Sequence, residues 1–552
     1  MQTRQGPAFG EHGRATAETT RDLADTPRRG ALAQPDSVVL ECAGATRTWR
    51  ELWERSLRVA NGLLATGVTP QSRVVYLGRN SLEFFEVLYG SSQIRAVPTG
   101  INWRLSAREV AAVLADTQAR VVFLGADFLD LWNAATAMLQ RDLIVIVIGQ
   151  TAVTEQAGPP DGLRDYESWL ARQASAEPAI TRSPDDIAMQ TYTSGTTGDP
   201  KGVMHTAGAL AATMATSELL EISDSTVSLV ATPIFHSNAT AAAINVLGAG
   251  GRCVVARETD PSSLLRLIET HRITHTVLVP TLIRNLLEAP EFSATDVSSL
   301  RTLIYAGSPM PPGLLERTRR ALPQVRLLQV YGSTEVLGVS ALRHEEHDRF
   351  PISAGRPLSE VTVRLVDPAT GVDVTDDGGP GEVWVRSPTI MSGYWNRPRM
   401  TQATITPDGF VRTGDIGTMD GGYLTLVDRL NDMIISGGEN VYPSEVEQVL
   451  AAHPGVAQVA VVGRPSERWG ETVTAVVVPT GSPEPRVTAE ALIDFARSRL
   501  AAYKCPTEVH FVEQLPHTAS GKLQRSALRE PTAAGAPPPS AGDQLVSGVS
   551  DA

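Results

Sequence analysis

Cysteine is scarce in this chain of 552 residues, and the three cysteines form no pattern. Cys42, Cys253 and Cys505 lie far apart, without the spacing of a zinc site or of a disulfide framework. Free thiols in a reducing compartment are therefore expected. Long hydrophobic runs are also missing. The most apolar run, Leu143–Ile148, is far shorter than the roughly 20 residues that a membrane-spanning helix needs, and it predicts a buried strand.

Two further absences narrow the function. The polar N-terminus has no apolar core of a signal peptide, so a cytoplasmic protein without a transmembrane segment is expected. Positive charge is not in excess, because the formal net charge is -13. A nucleic acid or an anionic membrane is therefore disfavoured as the main partner. A small anionic ligand stays compatible with this charge, since loops and helix N-termini bind phosphate locally.

The length exceeds what one hydrophobic core usually supports, so a multidomain protein is expected. Alternating helical and strand-like segments from Thr48 onward predict an α/β fold with mostly parallel sheets. After about Gly355, short strands separated by Gly, Pro and Asp predict a barrel-like or sheet subdomain. A small α+β unit follows, in which Ser444 and Glu447 suggest a capping box for a helix over 445–453. The predicted domains are a flexible leader 1–29, an N-terminal domain 30–430, a C-terminal domain 431–530 and a disordered tail 531–552.

Residues Thr191–Gly202 read TYTSGTTGDPKG, a run of hydroxyl residues and glycines that ends with a lysine and a glycine. Glycines let backbone N–H groups approach an anion, hydroxyls add donors, and lysine adds charge. The run therefore predicts a polyphosphate-binding loop, with a merely flexible turn as the alternative. It is not a Walker A loop, because Lys201 lies between Pro200 and Gly202. A P-loop kinase or ATPase is accordingly disfavoured.

The loop resembles the signature of the acyl-adenylate-forming superfamily, which includes acyl- and aryl-CoA synthetases, adenylation domains and beetle luciferases. Further segments resemble the motifs of that family, in its order. They are Ala231–Ser237 (ATPIFHS), Tyr305–Pro309 (YAGSP), Tyr331–Glu335 (YGSTE), Arg412–Asp415 (RTGD), Asp428–Glu447 and Thr518–Arg525 (TASGKLQR). The resemblance implies a large N-terminal domain of two βα-layered sheets with a β-barrel-like subdomain, and a small mobile α+β C-terminal lid domain.

For ATP, the resemblance implies a site assembled from several motifs. The loop would hold the β- and γ-phosphates, and Tyr331 would stack on adenine. Asp415 would accept hydrogen bonds from the ribose hydroxyls, with Arg429 beside them. Thr334 would contact the α-phosphate, and Glu335 would bind Mg²⁺. The implied nucleotide-binding residues are Thr193, Ser194, Gly195, Thr196, Thr197, Gly198, Lys201, Gly307, Ser308, Pro309, Tyr331, Gly332, Asp415 and Arg429.

The resemblance also implies an AMP-forming ligase that works in two steps. A carboxylate attacks ATP to give an acyl-adenylate and pyrophosphate, and the thiol of coenzyme A then takes the acyl group. The C-terminal domain would rotate near Asn431 between two poses. One pose brings in Lys522, and the other brings in a coenzyme A tunnel at Gly437, Gly438 and Glu439. The implied catalytic residues are Lys522, Glu335, Thr334 and His236.

For the acid substrate and the acyl acceptor, the sequence predicts a chemical class rather than a particular molecule. The expected acyl pocket is made of Phe235, His236, Ser237, Ala239, Ala306, Gly307, Gly332, Val336 and Leu337. These side chains are mostly small or apolar, which favours a fatty, cyclic or aryl acid over an amino acid. Coenzyme A is the favoured acceptor. One alternative is a stand-alone adenylation enzyme that loads a separate acyl-carrier protein, and another is a catalytically silent nucleotide-binding protein. The oligomeric state stays open.

Overall fold

The computed structural model describes residues 22–139, 141–149, 163–194, 200–430, 432–436, 439–466, 470–481, 487–516 and 523–529. Internal contacts divide the chain into two compact units. The first comprises the chain up to Val363 together with Trp384–Thr413 and Gly422–Leu424. The second comprises Arg364–Val383, Gly414–Gly421 and the chain from Thr425 onward. Within the described segments, no helix is long and apolar enough to cross a membrane.

The first unit contains a nine-stranded sheet whose central strands are parallel and whose edges are antiparallel. In spatial order its strands are Arg356–Pro357, Ser340–Leu342, Arg326–Tyr331, Thr302–Ala306, His275–Leu278, Val227–Val230, Arg252–Val255, Val38–Cys42 and Ala45–Thr48. Parallel neighbours place their carboxyl ends at one edge of a sheet. The turns that follow Thr302–Ala306 and Arg326–Tyr331 therefore lie side by side, with Ala306 paired to Val330.

An eight-stranded sheet forms the second layer of this unit. In spatial order its strands are Gly393–Tyr394, Pro200–Thr206, Ile187–Ser194, Val97–Gly100, Arg73–Leu77, Val121–Gly125, Ile144–Ile148 and Leu163–Asp165. Arg73–Leu77 is buried along its whole length, as expected for a parallel strand covered by helices on both faces. The two strands at the other end, Gly393–Tyr394 and Pro200–Thr206, are antiparallel to their neighbours.

Helices cover both sheets. Capping boxes at Thr48 and Ser106 begin two of them, and proline occupies the first turn of several others. The helices of this unit are Thr26–Ala33, Trp49–Ala65, Leu82–Gln93, Ala107–Thr117, Leu129–Thr136, Tyr166–Ala171, Ala207–Met214, Ser237–Gly248, Pro261–Thr270, Pro280–Glu288, Pro312–Ala321 and Pro398–Thr404. The largest apolar cluster packs around fully buried side chains such as Phe85 and Tyr89.

Part of the predicted leader is ordered. Residues Leu23–Asp25 form a short 3-10 helix, and the helix Thr26–Ala33 follows it. Leu23 is buried in the main core, and Arg182 forms ion pairs with Asp22 and Asp25. The polar composition of this segment concealed these anchors, so the prediction of a flexible leader is wrong for residues 22–29.

The remaining strands form two smaller sheets. The predicted barrel-like or sheet subdomain is a four-stranded sheet. Its strands, in order, are Thr362–Val366, Gly381–Arg386, Val411–Asp420 and Tyr423–Arg429. The second unit has a five-stranded sheet of Glu439–Val441, Ile434–Ser436, Gly470–Pro479 and Val456–Ser466, with Glu508–Phe511 paired to Gly470–Pro479. Its helices are Pro443–Ala451, Ala489–Arg497 and Ser526–Arg529.

The capping box predicted for Ser444 and Glu447 is wrong. Proline at position 443 starts the helix early, so Tyr442 is the N-cap residue and makes no side-chain cap. The Ser444 hydroxyl donates to the carbonyl of Val427 instead. Glu447 is turned toward Arg525, whose guanidinium donates to both of its carboxylate oxygens at 2.9 Å.

Candidate active site

The predicted phosphate loop joins two paired strands of the eight-stranded sheet. Strands Ile187–Ser194 and Pro200–Thr206 form an antiparallel hairpin in which Thr193 lies opposite Lys201. Residues Gly195, Thr196, Thr197 and Gly198, and the side chain of Ser194, lie outside the described part of the chain. The Thr193 hydroxyl is buried and has no hydrogen-bond partner among the described residues. A buried hydroxyl of this kind is suited to an anion that supplies the missing partner.

Lys201, Glu335 and Tyr394 meet at the turn end of this hairpin, next to the predicted phosphate loop. The Lys201 ammonium lies 2.9 Å from Oε1 of Glu335 and 3.0 Å from the Tyr394 hydroxyl. The Tyr394 hydroxyl donates to the same carboxylate oxygen at 2.9 Å. The ammonium also lies 4.5 Å from the centre of the Tyr394 ring. The three groups form a closed hydrogen-bonded cluster, and Tyr394 is a member that the sequence interpretation missed.

The electrostatics of the cluster favour the charged forms of both ionisable partners. Burial alone would raise the pKa of Glu335, but the Lys201 charge and the hydrogen bonds from Lys201 and Tyr394 hold that pKa below its ordinary value. Burial alone would lower the pKa of Lys201, and Glu335 outweighs this effect and raises it. At neutral pH the site therefore contains a carboxylate and an ammonium ion in direct contact.

Two tight turns bring the predicted nucleotide residues toward the cluster. A Cβ atom at Gly332 would lie 2.1 Å from the carbonyl oxygen of Leu337, so only glycine fits at that point. The turn that follows carries Thr334 and Glu335. It is held by the Met391 N–H, which donates to the carbonyl of Glu335 at 2.7 Å. The neighbouring turn begins at Gly307 with φ +85, a left-handed conformation that glycine adopts readily. The exposed Ser308 and Pro309 follow, and Tyr331 is buried at the end of its strand.

Tyr394 is placed by backbone pairing rather than by its own motif. The short strand Gly393–Tyr394 pairs with Pro200–Thr206, and the Trp395 N–H donates to the carbonyl of Gly202 at 2.8 Å. The Arg73 guanidinium lies 3.3 Å from the centre of the Trp395 ring. Arg73 also donates to Oε1 of Gln190 at 2.9 Å, and burial lowers its pKa to about 10. These contacts tie both strands of the hairpin to the segment that carries Tyr394.

His205 is a second residue that the sequence interpretation missed. It lies on the same face of its strand as Lys201, because side chains alternate along a strand. The side chain is fully buried, and burial lowers its pKa to about 4 in spite of the Glu335 charge, which raises it. His205 is therefore neutral at physiological pH. The period-two spacing from Lys201 was the signal that could have identified it.

The helix Ser237–Gly248 connects the second motif to this centre. Its N-cap residue is His236, and the Ser237 hydroxyl donates to Oγ1 of Thr334 at 3.5 Å. A cavity of about 70 Å³ lies along one face of the helix. Ala306 and Leu337, both predicted for the acyl pocket, line this cavity.

Other predicted acyl-pocket residues lie elsewhere. Ala239 packs in the main hydrophobic core, since the helix turns that residue away from the face formed by Ala241 and Ala242. Ala239 therefore does not line this cavity. Phe235 packs edge-to-face on Trp103, with ring centroids 6.5 Å apart. The other predicted pocket residues do not line this cavity; they are His236, Ser237, Gly307, Gly332 and Val336.

The second unit brings together the two residues predicted to hold the ribose. Asp415 is buried, and Nε of Arg429 lies 3.2 Å from its Oδ1. Lys522, Asn431, Gly437 and Gly438, and the side chain of Glu439, lie outside the described part of the chain. The flanks of the Lys522 segment are tied together, because the Gln524 N–H donates to the carbonyl of Pro516 at 2.9 Å.

Comparison with known proteins defines the class. The family model for the AMP-binding enzyme matches residues 28–395, and the model for the C-terminal domain of the AMP-binding enzyme matches residues 445–522. A feruloyl-CoA synthase of Amycolatopsis sp is 37% identical over 92% of this chain and 98% of its own length. An indoleacetate–CoA ligase of Aromatoleum aromaticum is 36% identical, over 92% and 98% of the two chains. The crystal structure of ATP-bound MatB from Rhodopseudomonas palustris superposes with a TM-score of 0.82 at 29% identity, covering 92% and 98% of the two chains.

The chain therefore belongs to the AMP-binding enzyme family. Within that family it is an AMP-forming carboxylate–CoA ligase, an acid–thiol ligase for which ATP and coenzyme A are fitting substrates. These relatives do not favour the two alternatives, which are carrier loading and a silent nucleotide-binding protein.

Proposed function

We propose that the enzyme activates a compact carboxylic acid with an uncharged body at the Lys201–Glu335–Tyr394 cluster and then transfers it to coenzyme A. In the first step a carboxylate oxygen bonds to the α-phosphorus of ATP, and the bond to the β-phosphate bridging oxygen breaks to release pyrophosphate. In the second step the coenzyme A thiolate bonds to the acyl carbon. The bond from that carbon to the AMP oxygen then breaks, and AMP leaves.

The observation that carries this proposal is the partly buried ion pair beside a phosphate-suited hairpin. Lys201 and Glu335 satisfy each other at 2.9 Å. Nucleotide phosphates offer Lys201 a new anionic partner, and the Thr193 hydroxyl gains an acceptor for its proton. Because the first nucleophile is already an ionised carboxylate, this step needs positioning and charge neutralisation rather than a general base.

Glu335 is the residue suited to hold Mg²⁺. Its carboxylate is ionised, and Mg²⁺ prefers hard oxygen ligands, of which proteins usually supply one or two beside substrate phosphates. The described part of the chain has no cluster of three or more His, Cys, Asp or Glu side chains, so the remaining ligands would come from the nucleotide and water. Mg²⁺ bound there would neutralise charge that develops on the phosphates.

The remaining roles follow the family resemblance. Thr334 would contact the α-phosphate, Tyr331 would stack on adenine, and Asp415 with Arg429 would hold the ribose. Lys522 would stabilise the charge that develops in the first step. For the second step, rotation near Asn431 would replace Lys522 by the segment Gly437–Glu439, whose glycines let pantetheine pass close to the backbone.

The lining of the cavity supports an acid with an uncharged body. The described residues that line it are aliphatic, threonine, asparagine and glycine, with no carboxylate and no ammonium group among them. An amino acid would bring an unpaired ammonium ion into this space, and a buried unpaired charge is costly. The helix face that borders the cavity has alanine at positions 241 and 242, which leaves room for a ring or a short chain.

Acid-dependent exchange of labelled pyrophosphate into ATP tests this proposal, followed by the addition of coenzyme A. Aryl, cyclic and fatty acids form the panel, and amino acids are the matched negative set. The expected result is exchange with an acid whose body is uncharged, followed by conversion of that acid to its acyl-CoA. Exchange without a thioester would point to a separate acyl-carrier protein as the acceptor. No exchange with any acid would refute adenylation.

A further inference from the structure

The cavity beside the helix Ser237–Gly248 has a polar residue at its inner end. The helix presents Asn238, Ala241, Ala242 and Asn245 to the cavity, at the spacing of one helical face. Asn238 is exposed, whereas Asn245 is only 2% exposed. The helix thus begins beside the turn that carries Thr334, and the last of its residues that line the cavity is the buried Asn245. The two asparagines are seven positions apart, and at 1.5 Å per residue this is roughly 10 Å along the helix.

The Asn245 side chain is unsatisfied. Its Oδ1 atom is buried and has no hydrogen-bond partner in the described part of the chain. A buried amide oxygen that loses water without gaining a donor destabilises the folded protein, and such groups are rare. The residue is therefore explained best by a ligand group that reaches it.

The threonines around the cavity do not supply that group. The Thr213 hydroxyl donates to the carbonyl of Ala209 at 2.9 Å, and the Thr216 hydroxyl donates to the carbonyl of Thr213 at 2.7 Å. Thr389 likewise donates to the carbonyl of Val336 at 2.6 Å. Each hydroxyl proton is thus already used on a backbone carbonyl. These three hydroxyls are therefore not available as donors to Asn245, and an occupant of the cavity can supply the donor.

We propose that Asn245 selects an acid with a neutral hydroxyl group at the end remote from its carboxylate. This inference rests on the proposed function, because it places the acyl body in the cavity. A hydroxyl both donates and accepts, so it can donate to Oδ1 and accept from the Nδ2 amide of Asn245. The hydroxyl pairs with the Asn245 side chain in either orientation of the amide, because it can donate to the oxygen or accept from the nitrogen.

Charged groups fit the same position poorly. An ammonium or a carboxylate at the inner end of the cavity would have no counter-ion among the residues that line it. A methyl or methoxy group would leave Oδ1 without a donor. The reacting carboxylate should lie near the start of the helix, beside Thr334, and Asn245 lies about 10 Å further along it. The hydroxyl should therefore lie about 10 Å from the carboxylate, which favours an aryl or short-chain body.

The test uses pairs of acids that differ only in the remote hydroxyl. Suitable pairs are para-hydroxycinnamate with cinnamate, para-hydroxyphenylacetate with phenylacetate, and a terminally hydroxylated octanoate with octanoate. Acid-dependent pyrophosphate release gives kcat/KM for each. For at least one pair the hydroxylated acid should be preferred by about 10-fold or more, as expected when a buried polar group must be paired.

Variants at the two asparagines test whether Asn245 causes the preference for the hydroxylated acid. Asn245→Leu should abolish it and raise kcat/KM for the acid without the hydroxyl. Asn238→Leu makes the same exchange at the exposed end of the same helix face and should keep the preference. Thermal unfolding with and without ATP checks that both variants are folded and bind nucleotide. An unaltered preference in Asn245→Leu, or no preference in the wild type for any pair, overturns the assignment of Asn245. No pyrophosphate release with any acid would instead overturn the proposed function itself.

Discussion

Removing one hydroxyl from the Lys201–Glu335–Tyr394 cluster tests how the site is built. Tyr394→Phe deletes the donor that lies 2.9 Å from Glu335 and the oxygen that lies 3.0 Å from Lys201, while the ring beneath the ammonium remains. Hydrogen bonds to charged groups contribute about 1.5–3 kcal/mol each. The Lys201 and Glu335 side chains are 23% and 18% exposed, so solvent screening favours the lower end of that range.

Loss of one or two hydrogen bonds of about 1.5 kcal/mol each should lower kcat/KM for ATP by about 10- to 100-fold. Steady-state pyrophosphate release at varied ATP·Mg²⁺ measures it. The pKa of Glu335 should also rise, because Tyr394 helps to hold it down. The carboxylate is the active form, so activity is lost as the pH falls through its pKa. The acid limb of the profile should therefore move to higher pH in the variant.

Tyr423→Phe is the matched control. The Tyr423 hydroxyl also donates to a glutamate, Glu346, at 2.8 Å, and its ring stacks on Phe350 with centroids 3.7 Å apart. This variant loses a similar hydrogen bond away from the proposed site, so its kcat/KM for ATP should equal that of the wild type. If Tyr394→Phe folds and keeps both its kcat/KM and its acid limb, the cluster does not bind the phosphates as proposed.

Two predictions concern stability. Burial lowers the pKa of His205 from 6.5 to about 4, so the unfolded chain binds a proton that the folded chain resists, and stability falls as the pH drops between these values. Urea denaturation should give a loss of about 2 kcal/mol from pH 7 to pH 5 that His205→Asn removes; an equal slope in both proteins would contradict a neutral buried His205. Gly332→Ala should cost about 1–3 kcal/mol and impair adenylation, because its Cβ would meet the carbonyl oxygen of Leu337 at 2.1 Å. Gly313→Ala, whose Cβ meets nothing within 4 Å, is the control, and equal effects of the two would refute the steric argument.

Local patterns in the sequence predicted much of the fold. The alternation expected from Thr48 onward is present in elements such as the helix Trp49–Ala65 and the strand Arg73–Leu77, and the short strands expected after about Gly355 include Gly381–Arg386. These segments carry their own periodicity and their own end signals. The helix Pro443–Ala451 shows the limit of such signals. Ser444 and Glu447 have the residue types and the spacing of a capping box, but the helix starts at the preceding proline and no capping box forms.

The site was predictable only where its residues lie within motifs. Lys201 and Glu335 were each identified from the segment around them, but they are 134 positions apart in sequence, and their direct contact is a property of the fold. Tyr394 approaches both residues through an edge strand of two residues, which has no recognisable pattern. The cavity-facing side of the helix Ser237–Gly248 was unpredictable for a related reason. Composition indicated a helix of small residues but did not reveal which face borders the cavity.

The central claim is that the chain forms an acyl-adenylate before it forms a thioester, with Lys522 needed for the first step only. Rapid-quench detection of acyl-AMP in wild type and Lys522→Ala tests it most directly, together with thioester formation from supplied acyl-adenylate and coenzyme A. We predict that the variant loses adenylate formation by about 10²–10³-fold or more and largely keeps the thioester step. Equal loss of both steps, or a wild type that forms acyl-CoA without acyl-AMP, would contradict the account.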